Sequence, residues 1–192
     1  MVFPATRYSV RTARALINLI LLLALSWHQT GSAEPNTDAS NWTDWKKVGS
    51  ATLTWGFWTI YDSELRTPSG QYNDKFNAPL ALVITYRRNI DAEDLLDATV
   101  DQWEHLGYSK QQIADWLPEM TGVWPNVSKG DRLIYVLQSN AGQFYYQPRL
   151  GAPSLSGTLS TPALAKAFSA IWLSPSTSYP SLRLALIGRK PE

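Results

Sequence analysis

ALAKAFSAIWLSPSTSYPSLRLALIG, Ala163 to Gly188, is the longest apolar, helix-patterned stretch of the chain with its own start and stop signals. Thr161 offers a side-chain oxygen to the free backbone N–H groups of a helix start, Pro162 suits the first helical position, and Leu159 is placed to pack back as a staple. Leu164, Phe168, Ile171 and Trp172 recur at three- and four-residue spacing and form one stripe for burial, with Lys166 and Ser169 on the other side. Ser174-Pro175 ends this helix. A second short helix from Ser181 to Ile187 stops at Gly188, where a left-handed residue commonly closes a helix. Two joined helices of this kind need a broad apolar surface to cover, and a sheet supplies one.

Strand patterns lie upstream. From Ala51 to Asp62, Leu53, Trp55, Phe57 and Tyr61 alternate with Thr52, Thr54 and Gly56, the period-two pattern of a single strand with one buried face. Trp58 and Ile60 make its far end apolar on both faces, which predicts that this end is covered twice and that a pocket forms there. Arg66 to Ala78 reads as a loop returning into a buried strand, Leu80 to Tyr86. Asp91 is placed to cap a helix reaching Gly107, with Leu95, Leu96, Thr99, Val100, Trp103 and Leu106 inside and an acidic, solvated outer face that includes Asp97 and Asp101. Ser109 and Gln112 form a capping-box start for a second helix, with Ile113, Trp116 and Leu117 on its apolar stripe. His105, late in the first of these helices, is expected to meet terminal carbonyls. Strand candidates follow at Arg132–Gln138, Gln143–Gln147 and Ser154–Leu159, with Ser139 to Gly142 a hairpin link by composition. The expectation is one α+β domain, an antiparallel β-sheet covered on one face by helices.

The first 33 residues read as something other than fold. Arg7, Arg11 and Arg14 form a basic leader, Ala15 to Trp27 an apolar core, and Gly31-Ser32-Ala33 a small-residue cleavage site, together a secretory signal peptide. The apolar core is well short of the about 20 residues of a spanning helix, so no stable membrane insertion is expected after cleavage. Glu34 to Asp44 reads as a disordered linker and residues 45–192 as the domain. The three leader arginines turn a formal charge of +1 into a slightly acidic mature chain without a basic patch, so nucleic acid is not an expected partner. There is no cysteine, and His28 leaves with the leader, so His105 is the remaining histidine. No metal site, cofactor or disulfide framework is expected from such a set.

The runs GFWTIYDSEL (Gly56–Leu65), WPNVSKGDRL (Trp124–Leu133) and FSAIWLSPSTSYPSLRLALIG (Phe168–Gly188) resemble the chalcone-isomerase-like family in its exported bacterial branch, over roughly Trp45 to Gly188. The resemblance implies the open-faced sandwich of that fold and a periplasmic or secreted location. It also implies a place for catalysis: true chalcone isomerases use an arginine near the start of the long strand to hold a developing oxyanion. Counting from Gly56, that place falls on Ser50 or Ala51, and the family's threonine on Asp62, a residue that would repel a phenolate. Lys46 and Lys47 lie near, but a one-residue shift on a strand reverses which face a side chain points to, so neither is an obvious substitute.

No phosphate-cradling loop, nucleophile elbow or metal spacing is present, so the sequence nominates no catalytic residue. What stands out is an aromatic excess, with nine Trp and nine Tyr. Trp55, Trp58, Tyr61 and Tyr86 are the candidate ligand-binding residues, and Trp172 is expected to be structural. The reading that follows is a non-catalytic domain binding a small apolar or amphipathic ligand, fatty-acid-like or aromatic. The alternatives are an isomerase or intramolecular lyase recruiting Arg66, Arg87, Arg88 and Tyr86, or an envelope interaction protein without a ligand.

Overall fold

A computed structural model describes residues 42–73 and 79–190. Six strands form one antiparallel sheet in chain order: β1 Lys46–Trp55, β2 Trp58–Thr67, β3 Leu80–Tyr86, β4 Arg132–Gln138, β5 Ala141–Gln147 and β6 Ser154–Leu159. Between β3 and β4 lie α1 (Ala92–His105) and α2 (Lys110–Met120), and after β6 come α3 (Pro162–Leu173) and α4 (Pro180–Leu186). The protein is therefore α+β, with its helices packed against one face of the sheet. The order of elements is three strands and two helices, twice over, a repeat of architecture that the sequence does not display.

Period-two patterning decides which face the helices cover. Leu53, Tyr61 and Tyr86 form one cross-strand row and Leu65, Leu82, Tyr135 and Phe144 another, all toward the helices. Two buried hydrogen bonds tie helices to the sheet and to each other. The Tyr135 hydroxyl donates to the Ala165 carbonyl at 2.6 Å, and the Trp103 indole N–H to the Ala167 carbonyl at 3.1 Å. α4 lies directly on β1: a Cβ on Gly49 would sit 2.1 Å from the Ala185 carbonyl oxygen, so only glycine permits this approach.

Several expectations change in detail. Ala51 to Asp62 is not one strand, because Trp55 pairs with Trp58 across a two-residue turn in which Gly56 has φ +58°. A two-residue turn by itself reverses the phase of alternation, but the register shift between Leu53 and Thr54 restores it, so Leu53 and Tyr61 share a face and the hairpin is hidden from a pattern count. Consequently Trp58 is not at a doubly covered end: Trp55, Phe57 and Trp58 stand at an exposed tip, 73%, 104% and 56% accessible. β2 also continues through Arg66 and Thr67, into the expected loop. Asp91 makes no side-chain cap; the Ala92 N–H donates instead to Asn126 Oδ1 at 2.8 Å. The Ser109–Gln112 capping box forms as expected.

In the C-terminal stretch both helices and the left-handed Gly188 (φ +74°) appear, but Thr161 does not cap α3. Its hydroxyl donates to Glu119 Oε1 at 2.5 Å. Ser169 is buried rather than on a solvated side, because α3 is enclosed around most of its circumference. Its hydroxyl turns back to the Ala165 carbonyl at 3.1 Å, which satisfies it. The expected linker is folded at its end: Trp42–Asp44 is a 3-10 helix whose buried Trp42 covers Ala81, Val83, Ile134 and Val136 on the sheet's outer face. The remainder of that linker and the expected signal peptide lie outside the described residues. Among the described residues no helix is long and apolar enough to cross a membrane.

Candidate functional site

Between the sheet and the helices the packing leaves a cavity of about 320 Å³. Its floor is the inner sheet face, with Leu53, Ile60, Tyr61, Ile84, Tyr86, Leu133, Tyr135 and Phe144. α1 forms one wall through Asp94, Leu95, Ala98, Thr99, Asp101 and Gln102, residues that share a face at helical spacing. Phe168, Ile171 and Trp172 of α3, with Thr177, Tyr179 and Leu182 after it, form the other. Asp94, Ala98, Asp101 and Tyr179 are exposed as well as lining, so the cavity opens between α1 and the α3–α4 connection.

The lining is apolar with a few polar groups set into it. Trp172 Nε1 donates to the Tyr61 hydroxyl at 3.0 Å, and the Tyr61 and Tyr86 rings meet edge to face with centroids 6.2 Å apart. Burial pushes the Tyr61 phenol up to about 12, against the lowering effect of the Trp172 bond, and burial raises Tyr86 well beyond the ordinary tyrosine value. Both therefore stay protonated at neutral pH and keep a proton to donate. Trp124 Nε1 and Gln102 Oε1, on two other lining residues, are buried with no hydrogen-bond partner. The described lining holds two aspartates and no lysine or arginine.

The four residues expected from sequence to bind a ligand divide into two pairs. Tyr61 and Tyr86 lie side by side in the cavity floor, while Trp55 and Trp58 are excluded from it because the hairpin carries them past the edge of the helical layer. Trp172, read from its stripe as purely structural, is half-buried and lines the cavity. Alternation and stripe patterns report which face is apolar, not whether a neighbour fills the space beside it. The arginines proposed for an isomerase site are elsewhere. Arg66 pairs with Glu64, Arg87 with Asp62, and Arg88 lies over the Trp58 ring at 4.9 Å. Asp62 sits on the outer sheet face, in a row with Thr52, Thr85 and Arg132, and does not face the cavity. His105 Nε2 meets a carbonyl as expected, but that of Ser176 beyond α3, at 3.2 Å.

Fold and site together define an α+β protein with an apolar cavity between an antiparallel sheet and its helices. No protein-family model matches the chain. An uncharacterized protein of Haemophilus influenzae is similar to it, 25% identical over 151 residues that span 79% of this chain and 72% of that protein.

Proposed function

We propose that this protein is an exported binding module of the chalcone-isomerase-like kind, holding a small apolar or amphipathic molecule between sheet and helices. The observation that carries the reading is the open, mostly apolar cavity of about 320 Å³ with Tyr61, Tyr86 and Trp172 in its wall. That volume falls at the small end of the roughly 300–1,000 Å³ typical of ligand pockets, which favours a compact ligand. A non-catalytic role is supported by the wall itself: no described lining residue supplies a cation to hold an oxyanion. A chalcone incubated with the protein is expected to lose absorbance only at its spontaneous rate.

The test is a thermal melt of the purified protein with a panel of alkyl and aromatic probes, repeated with Ala98→Trp. Ala98 is exposed at the opening, so an indole there obstructs entry without entering the core. The expected result is a ligand-dependent rise in Tm that Ala98→Trp abolishes while its ligand-free melt stays put. If no probe shifts the melt of the unmodified protein, the reading fails.

A second reading rests on the tip residues Trp55, Phe57 and Trp58, whose exposed aromatic surface suits docking to an envelope component. It predicts that serine at all three positions releases the protein from envelope fractions and leaves probe binding intact.

A further inference from the structure

We infer that the cavity selects an uncharged ligand with an acceptor oxygen, an acyl ester, amide or ketone, and discriminates against the carboxylate of a fatty acid. This rests on the binding reading above. Three observations support it, each drawn from the wall of one cavity.

First, Tyr86 is 5% exposed and lines the cavity, and no described residue accepts a hydrogen bond from its hydroxyl. Second, the Tyr61 hydroxyl, on the directly opposite residue of β2, already accepts from Trp172 Nε1 and has no acceptor for its own proton among the described residues. A hydroxyl that accepts one hydrogen bond is polarised to donate a better one. Two phenolic protons on adjacent strands are thus left to donate into the cavity. Third, among the described residues Asp94 and Asp101 line the opening and no lysine or arginine does. An entering carboxylate would lose water, meet like charge and find no counter-ion, whereas a neutral carbonyl meets no like charge and is offered the phenolic donors.

Methyl decanoate and decanoate share an acyl chain and differ in charge, so they separate these terms at neutral pH by titration calorimetry or tryptophan fluorescence. Methyl decanoate is expected to bind at least tenfold tighter than decanoate. Tyr86→Phe should weaken the ester about tenfold, and Tyr61→Phe does the same service should the first variant fold poorly. The Asp94→Asn/Asp101→Asn double variant should strengthen decanoate several-fold and leave the ester unchanged, and added salt should narrow the gap in the unmodified protein. Decanoate binding as tightly as the ester would overturn this inference and leave the binding module standing. An ester affinity indifferent to both tyrosine substitutions would overturn the carbonyl-holding role. If neither compound binds and the wider panel of probes is also silent, the cavity is not a binding site and both readings fall.

Discussion

Trp172 donates its indole N–H to the hydroxyl of Tyr61 at 3.0 Å, joining α3 to β2 across 111 positions of sequence. The bond sits in the cavity wall, so one residue both fastens a helix to the sheet and shapes the space between them. Trp172→Phe removes the donor and keeps most of the ring. The expected cost is about 1 kcal/mol of stability, from a buried hydroxyl losing its partner. Trp58→Ala, at the exposed tip, should change stability by no more than about 0.5 kcal/mol. Urea denaturation of the two variants checks the order, and a larger loss for Trp58→Ala would contradict it.

Alkaline pH should expose the buried phenols. Tyr61 holds its proton up to about 12 in the fold, against an ordinary value near 10. Since the folded state binds this proton more tightly, the stabilisation is complete below about pH 10 and is lost as pH rises toward about 12. Two units correspond to about 2 to 3 kcal/mol. Tyr86 and Tyr135 shift in the same direction through burial, so Tyr61→Phe should flatten the fall in stability over this window only in part. Urea midpoints at a series of pH values measure it.

Gly49→Ala should be among the most damaging single-methyl additions in the chain. The new Cβ would meet two backbone oxygens of α4, 2.1 Å from Ala185 and 2.6 Å from Leu186, and neither can rotate away. The expected loss is about 1–3 kcal/mol, toward the upper end of that range because the obstruction is backbone. A melt of Gly49→Ala unchanged from the parent would show that α4 rides up from β1 at little cost.

Asp131 fixes the entry to β4. Burial opposes its ionisation, but the Ser128 N–H (2.9 Å), the Tyr146 hydroxyl (2.8 Å) and the Arg149 N–H (2.9 Å) outweigh that and hold its carboxyl below the usual carboxylate range. A group with a lowered folded-state value stabilises above its unfolded value and loses that contribution as pH falls through the folded one. The fold should therefore weaken in acid. Asp131→Ala should cost at least about 2 kcal/mol at neutral pH and reduce the acid dependence, measured by urea midpoints from neutral pH downward.

The sequence by itself determined most of the elements. The C-terminal helix pair, the Ser109–Gln112 capping box and the strands Leu80–Tyr86, Arg132–Gln138 and Ser154–Leu159 follow from local periodicity and terminal chemistry, which act over a few residues and leave a direct trace in the order of side chains. Tyr61 and Tyr86 were legible as site candidates because a phenol on an apolar strand face is a polar group with few places to go. Only the tertiary structure decided that Ala51 to Asp62 folds back at Gly56, that Asn126 rather than Asp91 caps α1, and that Trp172 borders the cavity while Trp58 stands outside it. The cap on α1 and the place of Trp172 depend on partners distant in the chain, whereas the turn at Gly56 is local and is masked by the register shift beside it. A cavity is space that no side chain fills, and its position is set by where helices meet a sheet rather than by any residue in the pattern.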